Sequence, residues 1–180
     1  MKTPVLSSKR LTLGAITTLD AEPIFEYCQD PDIQRFTRVP VPFERSHAEQ
    51  FTSGVEATDS SCVWAIRENS ALVGTVGLRF IAPGTAECGY WIGRPFRGRG
   101  LMTEALGTVV DHAFDGFGLD RVVWEAAVAN IASAVVARRI GFRFDGTEPL
   151  GLELRGEHFD AWRASLHRSD DRTAKDGWPL

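Results

Sequence analysis

The stretch from Glu87 to Ala129 constrains the fold of this chain more than any other. It opens with Glu87-Cys88-Gly89-Tyr90-Trp91-Ile92, whose aromatic and β-branched content reads as a strand. Apolar residues then fall at Met102, Ala105, Leu106, Val109, Val110, Ala113, Phe114 and Phe117. A spacing of three and four makes an amphipathic helix with one buried stripe. Arg121 to Ala129, containing Val122, Val123, Trp124 and Val128, is a second strand. Two strands joined through a helix favour parallel pairing in one sheet.

Around this unit the chain alternates short elements. A strand is expected over Arg10 to Ile16, then a helix over Ala21 to Gln29 with Asp20 as N-cap and Pro23 in its first turn. Pro31, Pro40 and Pro42 mark an irregular connection, and Ser46 to Ala57 reads as a helix. Strands at Cys62 to Glu68, Leu72 to Phe80 and Thr85 to Ile92, with turns at Asn69-Ser70 and Ala82-Pro83-Gly84, form an antiparallel meander. Ile131 to Ile140 is helical and ends at Gly141, a good residue to follow a helix. Phe142 to Thr147 and Glu157 to Leu166 complete the strands, and the polar tail from Arg168 to Leu180 is expected to be poorly ordered.

The junction between the aromatic strand and the long helix reads Arg94-Pro95-Phe96-Arg97-Gly98-Arg99-Gly100-Leu101-Met102-Thr103-Glu104. A helix start offers unpaired N–H groups and the positive end of the macrodipole, which suits a phosphate. Gly98 and Gly100 let the backbone approach an anion, and Arg94, Arg97 and Arg99 add positive charge with no acid among them. The lysine pattern of a P-loop is absent. A dinucleotide fingerprint wants a third glycine where Thr103 stands, and the acid at the right distance, Asp120, precedes its strand instead of closing it.

With 180 residues, 43% hydrophobic and 24% charged, the chain has the composition of a globular domain with a sizeable core. A net charge of −4 argues against a general nucleic-acid binder. Cys28, Cys62 and Cys88 lack metal-ligand spacing, so no metal site is expected and a reduced, cytoplasmic protein is. No apolar run is long enough for a signal peptide or a membrane span.

In their order and spacing these residues resemble the GNAT-type N-acetyltransferases, in the branch that holds the ribosomal-protein N-terminal acetyltransferases RimJ and RimL. The likeness runs from residue 6 to residue 168. It is carried by Arg10-Leu11-Thr12-Leu13, Gly89-Tyr90-Trp91-Ile92, Arg97-Gly98-Arg99-Gly100-Leu101-Met102-Thr103-Glu104-Ala105, Asn130-Ile131-Ala132-Ser133 and Arg139-Ile140-Gly141-Phe142. The resemblance implies an α+β fold: a mixed sheet of about six to seven strands, mostly antiparallel, with a splayed central parallel pair and about four flanking helices. It implies one domain over residues 1–168, a polar tail over 169–180, and a homodimer as a possible assembly.

It further implies transfer of acetyl from acetyl-CoA directly to a primary amine, a protein N-terminus or a small molecule, in a ternary complex. A catalytically inactive acyl-CoA sensor would share the same cradle. The backbone of Arg97, Gly98, Arg99, Gly100, Leu101 and Met102 would hold the pyrophosphate, and Asn130 and Ser133 would lie beside the pantetheine and thiol. Pro95 stands where the broader family often has Gln or Arg. Because the cradle acts through amides, Arg94 or Arg97 can supply the charge.

Backbone N–H groups near Tyr90, Trp91 and Ile92 are the expected oxyanion donors. Glu87 is the first candidate for the base, with Asp160 and His158 as rivals, while His112 on the polar helix face is expected to be solvated. Ser133 is the candidate to donate to the leaving sulfur, although its place in a first helical turn also suits a cap. No tyrosine follows the second motif, and the chain holds only Tyr27 and Tyr90. Glu104 suits the helix dipole and reads as structural. Trp64, Trp91 and Trp124 read as core, and Phe36 and Phe43 border the acceptor cleft. Cys88 has no histidine near it in sequence to activate it, so a covalent cysteine mechanism is not expected.

Overall fold

The computed structural model describes residues 3–54 and 58–180. The strand expected over Arg10 to Ile16 is the shorter β2 (Thr12–Gly14), and a further short strand, β1 (Leu6–Ser7), precedes it. The chain then forms α1 (Ala21–Tyr27), α2 (Pro31–Phe36) and α3 (Arg45–Gly54). The meander follows as β3 (Ser61–Glu68), β4 (Ala71–Ala82) and β5 (Thr85–Ile92), and then α4 (Leu101–Asp115), β6 (Arg121–Ala127), α5 (Ile131–Arg139), β7 (Arg143–Leu154) and β8 (Glu157–His167). The strands form one sheet of eight in the order β1-β2-β3-β4-β5-β6-β8-β7. Among the described residues only the β5–β6 pair is parallel. The expected mixed architecture holds, with eight strands and five α-helices among the described residues instead of six to seven and four.

Helix α2 was not expected, because Pro31 was read with Pro40 and Pro42 as a breaker. Proline suits the first position of a helix, and Asp30 caps this one by accepting the N–H groups of Asp32 (2.9 Å) and Ile33 (3.4 Å). Asp20 does precede α1, but its side chain caps nothing there. It accepts the Thr17 N–H at 2.7 Å and two guanidinium bonds from Arg67, each 2.8 Å. Helix α3 is described as far as Gly54, and the last three residues of the expected helix lie outside the described residues. Strand β7 continues well past Thr147, with register shifts beside Gly146 and between Glu148 and Leu152, where glycine and proline had hidden the alternation.

Each face of the sheet carries a core. Helix α4 buries Leu101, Met102, Ala105, Leu106, Val109, Val110, Ala113 and Phe114 against the alternate residues Ala86, Cys88, Val122 and Trp124 of the central strands; the stripe read from sequence lacked Leu101 and ran on to Phe117, which lies beyond the helix and is half-buried. On the opposite face Ile24, Cys28, Ile33 and Ala48 bring α1, α2 and α3 together over Ala65 and Leu72. The polar tail is held better than expected. Trp178 packs on Trp124 and Phe144 and donates its indole N–H to the Phe142 carbonyl at 3.2 Å. No helix among the described residues is long and apolar enough to cross a membrane.

Candidate functional site

Strands β5 and β6 pair only over Thr85–Cys88 and Arg121–Trp124. Beyond that point β5 stays with β4 as far as Ile92, and β6 stays with β8 as far as Ala127. The central pair therefore splays, leaving two inner edges facing each other. Gly93 donates its N–H to the Val73 carbonyl at 2.8 Å. By the alternation of an antiparallel ladder, Tyr90 and Ile92 turn their N–H groups away from β4 and into the gap. Trp91 lies in the other phase, so its amide serves the β4 ladder and its indole lines the cavities.

The Gly-x-Gly segment crosses the end of this gap and starts α4. Gly98 and Gly100 hold φ of 75° and 74°, the left-handed region that disfavours a side chain. Gly100 is the N-cap and offers no side chain to satisfy the first turn. Among the described residues, no N–H from Gly98 to Thr103 donates to a protein acceptor. Six consecutive free amides at a helix start are chemically suited to an anion.

The arginines do something different from what was expected. Arg97 bonds to Asp30 and Asp32, both at 3.2 Å, and to the Ile92 carbonyl, while Arg99 pairs with Glu68 at 2.7 Å. They fasten the loop to α2 and β3 and are largely neutralised, whereas exposed Arg94 has no acidic partner among the described residues. Arg139 on α5, exposed on the cavity wall, has no acidic partner among the described residues and was missed. Its signal was its place in the last turn of a helix that starts at the second motif.

Two cavities open along the splay. One of about 470 Å³ runs past the loop, the α4 start and the α5 start, and the other, about 390 Å³, lies over Glu87. They share a wall made by Phe36, Thr37, Tyr90, Trp91, Asn130 and Ser133. Phe36 thus borders the cleft as expected, whereas Phe43 is buried in the core and Phe51 takes its place.

At the shared wall Asn130 caps α5 by accepting the Ser133 N–H at 3.3 Å. Trp124 donates its indole N–H to Ser133 Oγ at 3.0 Å, Ser133 Oγ donates to the Tyr90 hydroxyl at 3.1 Å, and Tyr90 donates to the Ser133 carbonyl at 2.9 Å. Burial pushes the Tyr90 phenol well above its ordinary value, so it stays neutral. A tyrosine is therefore present after all, delivered by the strand instead of following the second motif. The period-2 face that Tyr90 shares with Cys88 was its sequence signal.

Glu87 lies under the second cavity with its side chain 13% exposed, so it is no solvent-facing edge group. It bonds Arg79 at 2.5 Å and lies 3.6 Å from Arg38. Arg38 also bonds Glu125 at 2.8 Å, and Arg163 reaches Glu125 at 3.1 Å. Glu125, 11% exposed, is a second carboxylate in the same cavity wall that the sequence reading missed. Its phase on β6, opposite to Trp124, and the parallel register beside β5 were the available signals.

His158 and Asp160 line neither cavity, and Asp160 accepts the Leu150 N–H at 2.9 Å instead. His112 is half-buried among Trp64 and Phe117 and is not a solvated surface group. Burial pushes the Cys88 thiol far above its ordinary value, aided by the charge of Glu87, which keeps it unreactive. No cluster of metal-ligating side chains occurs among the described residues.

Residues 10–143 match the acetyltransferase (GNAT) domain model. The uncharacterized N-acetyltransferase p20 of Bacillus licheniformis is 24% identical over 168 residues, covering 89% of this chain and 94% of that protein. The ribosomal-protein-serine acetyltransferase of Escherichia coli (strain K12) is 33% identical over 86 residues, 47% of this chain and only 48% of that protein. The RimJ of Mycobacterium smegmatis, solved in complex with CoA-disulfide, superposes with a TM-score of 0.83 over 93% of this chain and 90% of that one. At 20% identity this likeness speaks for the fold.

Proposed function

Because the chain belongs to the GNAT acetyltransferase family, we propose that the splayed strands and the two cavities meeting between them move acetyl from acetyl-CoA directly to a primary amine. The residues fit that donor. The free amides of Gly98 to Thr103 suit its diphosphate, and the inner edge of β5 suits an extended amide-bearing arm. When bound, acetyl-CoA supplies a thioester carbonyl open to attack and a thiolate able to leave.

The chain supplies position and protons. Holding an amine against the carbonyl at the shared wall removes an entropic barrier worth several kcal/mol. The Tyr90 and Ile92 N–H groups, already pointing into the gap, suit the negative charge that grows on the carbonyl oxygen. Glu87, under the cavity on the other side of that wall, takes a proton from the incoming ammonium. Ser133 Oγ turns its single O–H from the Tyr90 hydroxyl, where it rests in this structure, to the leaving sulfur. Trp124 and the neutral Tyr90 hold the serine hydroxyl in place.

Glu87 and Glu125 are already met by Arg79, Arg38 and Arg163, so the cavity holds no surplus negative charge for a strongly basic acceptor. An α-amino group, with a pKa near ~8, asks little of the base. The naming of relatives for ribosomal proteins makes peptide N-termini the first acceptors to try. Three free, buried cysteines suit a reducing cytoplasm.

The observation that carries this reading is the wall shared by the two cavities at the point where β5 and β6 part. The test is release of coenzyme A from acetyl-CoA across peptides with free N-termini, polyamines, aminoglycosides and amino acids. Turnover with one class supports it. Acetyl-CoA binding without turnover on any amine overturns the enzyme and leaves an acyl-CoA sensor, and absence of binding overturns both.

A further inference from the structure

Arg10 lies between β1 and β2, 89 residues from the glycine loop in sequence, yet its Nη1 donates to the Arg99 carbonyl at 2.9 Å. The same guanidinium reaches back to Glu104 in the first turn of α4, with Nε 2.6 Å from Oε2. Glu104 is held in turn by the Arg10 N–H at 2.8 Å and the Ser8 hydroxyl at 2.7 Å, both on Oε1. One planar side chain thus joins the loop, the helix that follows it and the turn before β2.

The position of that bond matters because of the glycines. In a trans peptide the C=O and the next N–H point in opposite directions. Gly98 and Gly100 tolerate either sign of φ, so the Arg99–Gly100 peptide can turn over at little cost, and in the turned-over state its N–H leaves the anion site. Drawing the Arg99 carbonyl toward Arg10 selects one state. Arg10 and Arg99 lie outside the cavity wall, whereas Gly98, Gly100 and Leu101 form it, so the selected state sends the Gly100 N–H inward. Burial alone would raise the Glu104 carboxyl, but the Ser8 and Arg10 donors outweigh it and hold the carboxyl below its usual range, keeping the anchor charged.

The geometry points to Arg10 as a positioning residue of the donor site: braced on Glu104, it fixes the Arg99–Gly100 peptide and so sets affinity for the diphosphate part of the ligand. This rests on reading the glycine loop as the diphosphate cradle. The fork shape is essential, because one group must hold a carboxylate and a carbonyl together. Lysine keeps the charge and cannot span both.

The experiment compares Arg10→Lys, Arg10→Met and Glu104→Gln with the wild type. Coenzyme A is titrated by calorimetry, and pantetheine, which lacks the diphosphate, by amide NMR shifts. The brace predicts that both Arg10 variants lose coenzyme A affinity about tenfold or more, that pantetheine binding stays as in the wild type, and that the Gly100 amide resonance moves in both. Glu104→Gln, which keeps the side-chain shape, gives the same pattern more weakly and serves if an Arg10 variant fails to fold. Wild-type affinity in Arg10→Lys overturns the brace in favour of a plain charge effect. Equal loss for coenzyme A and pantetheine overturns it in favour of general disruption. Wild-type protein that does not bind coenzyme A overturns the donor-site reading itself.

Discussion

Replacing Gly98 by valine probes the donor loop directly. At φ 75° the residue is left-handed, and a Cβ built there meets no atom within 4 Å. The added Cβ therefore meets nothing in the protein, and the cost it brings is conformational, roughly 1–2 kcal/mol for a side chain held in that region. In a chain of this size such a cost lowers Tm by about 2–8 °C. Binding suffers more. Relieving the strain turns φ negative and swings the flanking amides away from the anion. Each hydrogen bond lost to a charged acceptor is worth about 1.5–3 kcal/mol, so affinity for coenzyme A falls about 10- to 150-fold per bond. Calorimetric titration beside a thermal melt separates the two effects. A Gly98→Val protein that melts a few degrees lower yet binds coenzyme A like the wild type refutes the reasoning.

Three further outcomes are expected. Ser133→Ala lowers kcat by about 100-fold or more with little change in the KM for acetyl-CoA, and Tyr90→Phe lowers it less, since it removes only the partner of the serine hydroxyl; stopped-time CoA-release kinetics check both. Glu87→Gln loses most rate at low pH, and the deficit shrinks as pH rises toward the amine pKa of ~8, so a pH–rate profile parallel to the wild type removes Glu87 from the mechanism. For Asp20, burial alone would raise the carboxyl, but bonds from Arg67 and Thr17 outweigh it and hold it below its ordinary 3.8. A depressed folded-state pKa gives stability that is complete above the unfolded value and lost as pH falls through the folded one. Asp20→Asn therefore costs about 1–3 kcal/mol at pH 7 and much less in strong acid, as urea melts at pH 7 and pH 2.5 would reveal.

What the sequence disclosed was what periodicity and local chemistry encode. The buried stripe of α4 was legible because eight apolar residues repeat at helical spacing, and the parallel pairing followed from its crossover. Gly98 and Gly100 were legible because few residues other than glycine start a helix in that way. The pairings that tune the site were not, because they join residues far apart in the chain. Arg97 looked free beside its neighbours, yet Asp30 and Asp32 meet it from α2, a helix concealed by its own proline. Tyr90 and Ser133 meet across 43 residues, and Arg38 joins Glu87 to Glu125 from a loop with no periodicity to read. Trp178 sits in a tail whose polar composition hid one aromatic anchor.

A bare strand edge normally invites a foreign strand, and the outer edges here are blunted in the usual ways: β1 has two residues, and β7 is interrupted by register shifts beside Gly146 and Pro149. The edges at Gly89–Ile92 and Glu125–Ala127 are different, because they lie inside the sheet and guard each other. A neighbouring molecule's strand has no open flank to approach, so these unpaired amides carry little risk of aggregation. Only something slender enough to thread the middle of the sheet can use them. On one side of that missing strand stand β1 to β5, on the other β6 to β8, and over this stretch an occupant would stitch the two halves together. Such an occupant would act as a folding ligand, slowing amide exchange on both halves at once.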